Sequence, residues 1–214
     1  MTETLTFYTN PMSRGRIARW MLEEVGEPYE TVILGYGEEM KSPDYLAINP
    51  MGKVPAIRHG DTVVTEGAAI CAYLADMFPD KGLAPPPGNP RRGSYYRWLF
   101  FGAGPLEAAV TGKALGLLAP PEKSAMAGYG TFEDVMDTLE KAVSAGPYLC
   151  GEQQFSAADV YIGAQIGWGM MFGTIEPRPA FAAYVGRLQS RPAAVRAREI
   201  DDALMAKMKA ESGQ

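Results

Sequence analysis

The chain has 214 residues, of which 47% are hydrophobic and 21% charged, and its formal net charge at pH 7 is −5. This composition is typical of a globular protein and excludes disordered, collagen-like and coiled-coil chains. No apolar run reaches the roughly 18 residues that a membrane-spanning helix needs. The acidic balance argues against a broadly basic nucleic-acid-binding surface.

Cysteine and histidine are scarce, which argues against metal sites and catalytic sites that depend on these residues. Cys71 and Cys150 form no CxxC pair, and His59 is the single histidine. A zinc site or a Ser-His-Asp hydrolase would depend on His59 alone, so we expect no metal centre. The first residues lack the basic segment and apolar core of a secretory signal, which predicts a cytoplasmic protein with no disulfide and no membrane partner.

The first 80 residues mix strand and helix patterns. Residues 5–8 and 29–34 are rich in strand formers, and a helical pattern between them ends at Gly26. Residues 54–58 and 62–65 are joined by a short turn and predict a β-hairpin, which a second amphipathic helix follows. The order β-α-β, then β-β-α, predicts that the first two strands are parallel with a right-handed crossover.

A proline-rich segment, residues 81–90, divides the chain and is predicted to be a stiff linker. Beyond it, residues 91–214 show helical patterns and no convincing strand. One helix start resembles a capping box in which Ser156 is the N-cap and Asp159 takes the acidic position. The sequence therefore predicts an α/β domain over residues 1–80 and an all-helical domain over residues 91–214.

Four stretches together resemble the soluble glutathione transferase superfamily. Residues 49–55, NPMGKVP, match its NPxGKVP signature, and residues 65–70 stand where the family has a (T/S)ES-x-AI motif. Residues 7–14 lie at the first strand-to-helix turn, and residues 155–159 match a helix start of the second domain. The resemblance implies a thioredoxin-like α/β N-terminal domain, an all-α C-terminal domain, and glutathione as the co-substrate.

The resemblance also implies how the NPxGKVP stretch binds glutathione. It implies a cis peptide bond between Val54 and Pro55, which leaves the Val54 N–H and C=O outside the sheet ladder. The cysteinyl backbone of glutathione would then pair with them as an added strand. Lys53 is the candidate partner of the glycyl carboxylate, favoured over Lys41 because it adjoins Val54.

Glu66 and Gly67 open the helix that follows the hairpin, where free N–H groups and the helix dipole suit a carboxylate. In the family pattern the acidic residue holds the γ-glutamyl amino group, and a serine hydroxyl binds the γ-glutamyl carboxylate. Gly67 replaces that serine here and removes one hydrogen bond to a charged group, worth about 1.5–3 kcal/mol. We therefore expect weaker glutathione binding, unless another group substitutes. The alternative is that Glu66 only stabilises its own helix start.

Three side chains near the start of the first helix are candidate partners of the glutathione sulfur: Ser13, Asn10 and Tyr8. The thiolate is the nucleophile, so a hydrogen-bond donor beside it favours its formation. Ser13 fits best, because it opens the helix and matches the serine-type members of the family. The alternative is that Ser13 serves only as an N-cap. The absence of a cysteine at this position argues against the disulfide-exchanging branch of the family.

The activity that the resemblance implies is conjugation of glutathione to small hydrophobic electrophiles, carried out for detoxification by a cytoplasmic homodimer. The electrophile is expected to bind where the helical domain meets residues 8–12. Candidate pocket residues, each equally consistent with a core position, are Trp98, Phe101, Leu106, Leu117, Trp168, Met171 and Phe172. Two alternatives stay open: a related protein that binds partners without turnover, which Gly67 favours, and a glutathione-dependent peroxidase or isomerase.

Overall fold

The computed structural model describes residues 4–151 and 154–211. The chain divides into two units, one containing Met1–Lys81 and Ser190–Gln214, the other Gly82–Gln189. No helix among the described residues is long and apolar enough to cross a membrane.

The first unit is built on four strands, β1 (Leu5–Thr9), β2 (Glu30–Ile33), β3 (Ala56–His59) and β4 (Thr62–Thr65). They form one mixed sheet in the order β2-β1-β3-β4. β1 and β2 are parallel, whereas β3 runs antiparallel to both β1 and β4. The predicted parallel pair and hairpin are therefore confirmed, and the sheet is thioredoxin-like.

Three helices accompany the sheet, α1 (Gly15–Val25), α2 (Pro43–Leu46) and α3 (Gly67–Met77). α1 ends where the sequence predicts, because Gly26 adopts a left-handed conformation with φ 72° and its N–H binds the Leu22 carbonyl. α1 and α3 pack against each other. Fully buried apolar side chains of the strands and of these helices form the core of the unit: Phe7, Ile17, Met21, Ile57, Ile70 and Leu74.

The second unit is helical, as predicted. Its helices are α4 (Arg91–Phe101), α5 (Glu107–Leu115), α6 (Phe132–Ser144), α7 (Ala157–Met171) and α8 (Pro179–Gln189). The sequence predicts one continuous helix over residues 91–110, whereas a π-helical turn at Gly102–Leu106 separates α4 from α5. This turn contains Pro105, which has no N–H to donate to the helical ladder.

A buried capping box starts α7, as the sequence predicts. The Asp159 carboxylate accepts hydrogen bonds from the N–H and the hydroxyl of Ser156, both at 2.9 Å. It also accepts from the Leu149 N–H at 2.9 Å and the Tyr184 hydroxyl at 2.8 Å. Burial raises the pKa of Asp159, and the donors oppose that rise. The carboxylate therefore ties the preceding loop and α8 to the start of α7.

The C-terminal helix α9 (Pro192–Glu211) differs from its predicted placement, because it groups with the α/β unit rather than with the helical domain. The reason is its contact with α1. Arg19 Nε lies 3.3 Å from Asp201 Oδ1, and the two side chains are only 2% and 1% exposed. Just before α9, Arg191 donates two hydrogen bonds, of 2.7 and 2.8 Å, to the Glu24 carboxylate.

We expect the Asp201 carboxylate to be essential for stability. Asp201→Asn leaves the Arg19 guanidinium buried without its ionic partner, and breaking a buried pair from one side costs about 3–5 kcal/mol. Urea unfolding measures this loss. In the control, Arg196→Gln removes a more exposed ion pair between α9 and Glu23 on α1, and the expected loss is below about 1 kcal/mol. Equal losses in the two variants would show that the buried ion pair contributes no more to the free energy of unfolding than the exposed one.

Candidate functional site

The sheet register brings three chain segments together at one edge of the first unit. Tyr8 of β1 lies opposite Ala56 of β3, and Ala56 lies opposite Thr65 of β4. The end of β1, the start of β3 and the end of β4 therefore lie side by side. The candidate catalytic and glutathione-binding residues stand in or next to these segments: Tyr8, Asn10, Ser13, Lys53, Val54, Pro55, Glu66 and Gly67.

The peptide bond between Val54 and Pro55 is cis, as the resemblance implies. β3 begins only at Ala56, so Val54 lies outside the ladder. Within residues 4–151 and 154–211, neither the N–H nor the C=O of Val54 has a hydrogen-bond partner. The half-buried Val54 packs against the cluster that contains Tyr8 and Tyr45. Its backbone thus offers one donor and one acceptor at a well-anchored point beside the sheet.

The residues before Val54 are held by hydrogen bonds to a single carbonyl. The Lys53 carbonyl accepts from the Tyr45 hydroxyl at 2.6 Å and from Asn49 Nδ2 at 2.7 Å. Burial raises the pKa of Tyr45 to about 12, which keeps its hydroxyl protonated as a donor. Gly52 adopts φ +57°, and a Cβ there would lie 2.6 Å from the Met40 carbonyl oxygen. The glycine of the NPxGKVP signature is therefore required by this turn.

The two candidate lysines differ in their surroundings. Lys41 Nζ donates a hydrogen bond of 2.8 Å to the Met51 carbonyl, which stabilises the loop before β3. Lys53 is exposed, and its ammonium group has no ion-pair or hydrogen-bond partner among the residues that the structure describes. Lys53 is thus the more available of the two for an anionic ligand.

Glu66 has the only positive φ among the described residues other than glycine, with φ 68° and ψ 121°. Such backbone conformations cost about 1–3 kcal/mol and occur preferentially at functional sites. The Glu66 side chain is exposed and makes no cap hydrogen bond to α3. The start of α3 at Gly67 therefore presents N–H groups and the positive end of the helix dipole without a side-chain cap.

Ser13 lies in the tight turn between β1 and α1 and is partly exposed. Its Oγ donates a hydrogen bond of 2.7 Å to the Asn10 carbonyl and accepts one of 2.9 Å from the Gly15 N–H. The bond from Gly15 fixes the oxygen at the start of α1. The hydroxyl proton, by contrast, can leave the Asn10 carbonyl by rotation about the Cβ–Oγ bond. Ser13 thus supports the helix start and keeps a donor that can turn toward a ligand.

Asn10 and Tyr8 are less available than Ser13. Asn10 is fully buried, its Nδ2 donates to the Leu34 carbonyl at 2.8 Å, and its Oδ1 accepts from the Met12 N–H at 2.9 Å. Tyr8 is 9% exposed, and its ring centroid lies 5.8 Å from that of Tyr45. These contacts favour structural roles for both residues.

Two further side chains, which the sequence pattern does not single out, bind the same turn. Arg16 Nε donates a hydrogen bond of 2.6 Å to the Pro11 carbonyl, and the Tyr36 hydroxyl donates one of 3.2 Å to the Met12 carbonyl. Such bonds leave little trace in a sequence pattern. The position of Arg16 does give one indication. The helix dipole disfavours a cation in the first turn of a helix, so an arginine there is expected to have a nearby hydrogen-bond acceptor.

The chain is similar to known glutathione S-transferases. Residues 12–77 match the family model for the glutathione S-transferase N-terminal domain. Glutathione S-transferase GstA of Escherichia coli O157:H7 is 33% identical over 167 residues, which cover 76% of this chain and 78% of that protein. The chain belongs to the glutathione S-transferase family.

Solved glutathione S-transferases share its architecture. The glutathione transferase of Methylococcus capsulatus is 30% identical with a TM-score of 0.78, and the match covers 94% of this chain and 100% of that one. The glutathione transferase URE2P6 of Phanerochaete chrysosporium, solved with oxidized glutathione, is 27% identical with a TM-score of 0.79 and coverage of 94% and 97%. The thioredoxin-like and all-α architecture expected from the four motifs is thereby confirmed.

We expect Gly15→Ala to disturb the turn that carries Ser13. A Cβ at Gly15 would overlap the Thr9 hydroxyl and lie 2.9 Å from Ser13 Oγ. Such overpacking typically lowers the free energy of unfolding by about 1–3 kcal/mol. The control is Gly186→Ala within α8, where nothing lies within 4 Å of the new Cβ, and we expect it to stabilise by about 0.5–1 kcal/mol. Urea unfolding compares them, and a Gly15→Ala variant as stable as the wild type would refute the predicted overlap.

Proposed function

We propose that the protein binds glutathione along the edge formed by the residues before β3 and the start of α3, and that it adds the glutathione thiolate to small hydrophobic electrophiles. The observation that carries this proposal is the unpaired backbone of Val54 beside the uncapped start of α3. A strand-like peptide with a carboxylate at one end fits this pair of features. The relative solved with oxidized glutathione supports glutathione as that peptide.

Each charged or polar group of glutathione has a counterpart in this proposal. The Val54 N–H and C=O pair with the cysteinyl backbone. The Gly67 N–H and the α3 dipole receive the γ-glutamyl carboxylate, and the Glu66 carboxylate receives the γ-glutamyl amino group. The exposed ammonium of Lys53 pairs with the glycyl carboxylate. The strained Glu66 backbone is consistent with this role.

Ser13 would donate its hydroxyl proton to the sulfur and favour the thiolate. Lowering a thiol pKa from about 8.5 to about 6.5 raises the thiolate fraction at pH 7 from about 3% to about 76%. The nucleophilicity of each thiolate falls at the same time, with a Brønsted slope of about 0.4–0.5, so the net gain is only about threefold. Most of the rate enhancement must therefore come from holding the electrophile beside the sulfur.

We assign the electrophile to apolar surface of the helical unit. Leu117, Met171 and Phe172 are exposed there, which supports a hydrophobic second substrate. Trp98 and Leu106, two other candidate pocket residues, are buried and belong to the core of that unit. The family resemblance further supports a cytoplasmic homodimer with a role in detoxification. Light scattering would test the dimer by a solution mass twice the 23.1 kDa of one chain.

Gly67 favours a second candidate function, a ligand- or partner-binding protein without turnover. The family's serine hydroxyl is absent at this position, so one bond to the γ-glutamyl carboxylate is lost. Glutathione affinity distinguishes the two candidates, because a transferase must bind its co-substrate. A panel of electrophiles, peroxides and isomerisable substrates then separates transferase from peroxidase or isomerase activity.

We expect Ser13→Ala to weaken the interaction with the sulfur selectively. Calorimetric titration of the wild type should give a glutathione Kd below about 1 mM. The variant should bind glutathione more weakly but S-methyl glutathione, whose sulfur cannot ionise, as the wild type does. Ultraviolet absorbance of the thiolate should show the pKa of the bound thiol rising toward its free value of about 8.5. Equal affinities and equal thiol pKa values would exclude Ser13 as the partner of the sulfur.

We expect Gly67→Ser to tighten glutathione binding about tenfold, because it restores a hydroxyl to the γ-glutamyl site. Gly67 is the first residue of α3 and has no positive φ, so the backbone accepts a serine. Ala68→Ser is the matched control, since it adds the same hydroxyl one residue later, and it should leave the Kd unchanged. If the wild type does not bind glutathione and Gly67→Ser restores binding, the non-catalytic function is the correct one.

A further inference from the structure

Arg16 connects the turn that carries Ser13 to the C-terminal helix. Its Nε donates a hydrogen bond of 2.6 Å to the Pro11 carbonyl, and its Nη2 donates one of 2.7 Å to Asp202 Oδ1. Nε and Nη2 lie on the same edge of the planar guanidinium, so a single rigid group spans the two acceptors. A lysine has one nitrogen at the end of a flexible stem and cannot reproduce this geometry.

The pair is poorly explained by stability alone. The side chains of Arg16 and Asp202 are 23% and 53% exposed, and ion pairs this exposed contribute little to the free energy of folding. Arg16 also stands in the first turn of α1, where the helix dipole opposes a cation. The short hydrogen bond to the Pro11 carbonyl therefore indicates a role for Arg16 other than stabilising the fold.

That hydrogen bond acts on the turn in which Ser13 is held. Pro11 lies between Asn10, whose carbonyl accepts the Ser13 hydroxyl, and Met12, whose N–H donates to Asn10 Oδ1. Anchoring the Pro11 carbonyl restricts rotation of the peptide between Pro11 and Met12. The position of Ser13 Oγ relative to a bound sulfur then depends on the orientation of the Arg16 guanidinium.

Two adjacent aspartates of α9 bind different arginines of α1. Asp201 forms the buried pair with Arg19, which fixes α9 against α1. Asp202 extends to Arg16 and through it to the Pro11 carbonyl. The C-terminal helix thereby supports the Ser13 turn, although it is more than 180 residues away in sequence.

We propose that Arg16, oriented by Asp202, is a positioning residue of the transferase reaction that fixes the Pro11–Ser13 turn and so aims the Ser13 hydroxyl at the glutathione sulfur. This inference rests on the proposed function, because it requires that Ser13 contacts the sulfur. Neither Arg16 nor Asp202 touches the substrate in this proposal.

The test compares Arg16→Lys and Asp202→Asn with the wild type. Arg16→Lys keeps the positive charge and removes the planar fork, so it separates geometry from charge. Each variant should lower kcat with an activated aryl halide about tenfold, as expected for a misplaced reacting group. The KM for glutathione should stay within about twofold, since the groups that bind its backbone and carboxylates are unchanged. The pKa of the bound thiol should rise in both variants.

Arg196→Gln is the matched control. It removes another partly exposed ion pair between α9 and α1, formed with Glu23, which does not touch the Ser13 turn. Its kcat and bound-thiol pKa should equal those of the wild type. Melting temperatures of all variants establish that each is folded and show how far each change affects stability.

The outcomes separate the inference from the function on which it rests. A wild type that neither binds nor ionises glutathione refutes both. If the wild type ionises glutathione and the Arg16 and Asp202 variants match it in kcat and thiol pKa, the inference is wrong and the proposed function stands. The inference is also wrong if those variants lose thermal stability only, since that result marks a merely structural pair.

Discussion

The antiparallel register of β3 between β1 and β4 is the constraint on which the candidate site depends. Because Ala56 lies opposite both Tyr8 and Thr65, the segments bearing Ser13, Val54 and Gly67 are brought to one edge. Shifting β3 by one residue would turn each of its side chains to the opposite face of the sheet, so burial of Ile57 in the core also fixes the register at the candidate site. The hydrophobic sheet core thus positions the polar groups of the candidate site.

Backbone groups provide much of this site. The unpaired N–H and C=O of Val54 and the uncapped start of α3 offer donors and an acceptor whose positions follow from the fold. Such groups lose little conformational entropy on binding, because the backbone is already ordered. Side chains then add charge at Glu66 and Lys53 and a donor at Ser13.

The sequence predicted most of the fold, because the signals were local. Strand patterns, the stop at Gly26 and the capping box of Ser156 and Asp159 all depend on neighbours within a few residues. The placement of α9 was not predictable in this way, since Arg19 and Asp201 are separated by 182 residues and pair only in the folded chain. The hydrogen bond between Arg16 and Asp202, which are 186 residues apart, could not be predicted for the same reason. The sequence predicted the candidate residues of the site, but only the structure shows that Asn10 is fully buried with both polar atoms of its side chain in hydrogen bonds, whereas Ser13 is partly exposed.

Amide chemical shifts test whether glutathione binds at this edge of the sheet. The isotope-labelled protein is titrated with glutathione, and backbone amide resonances are followed by nuclear magnetic resonance. We expect the amide resonances of Val54 and Gly67 to shift most, because their unpaired N–H groups gain hydrogen bonds. Amide resonances in the core of the helical unit, such as that of Ile162, should not shift. Saturating shifts that spare Val54 and Gly67, or the absence of any shift at millimolar glutathione, would show that glutathione does not bind at this edge.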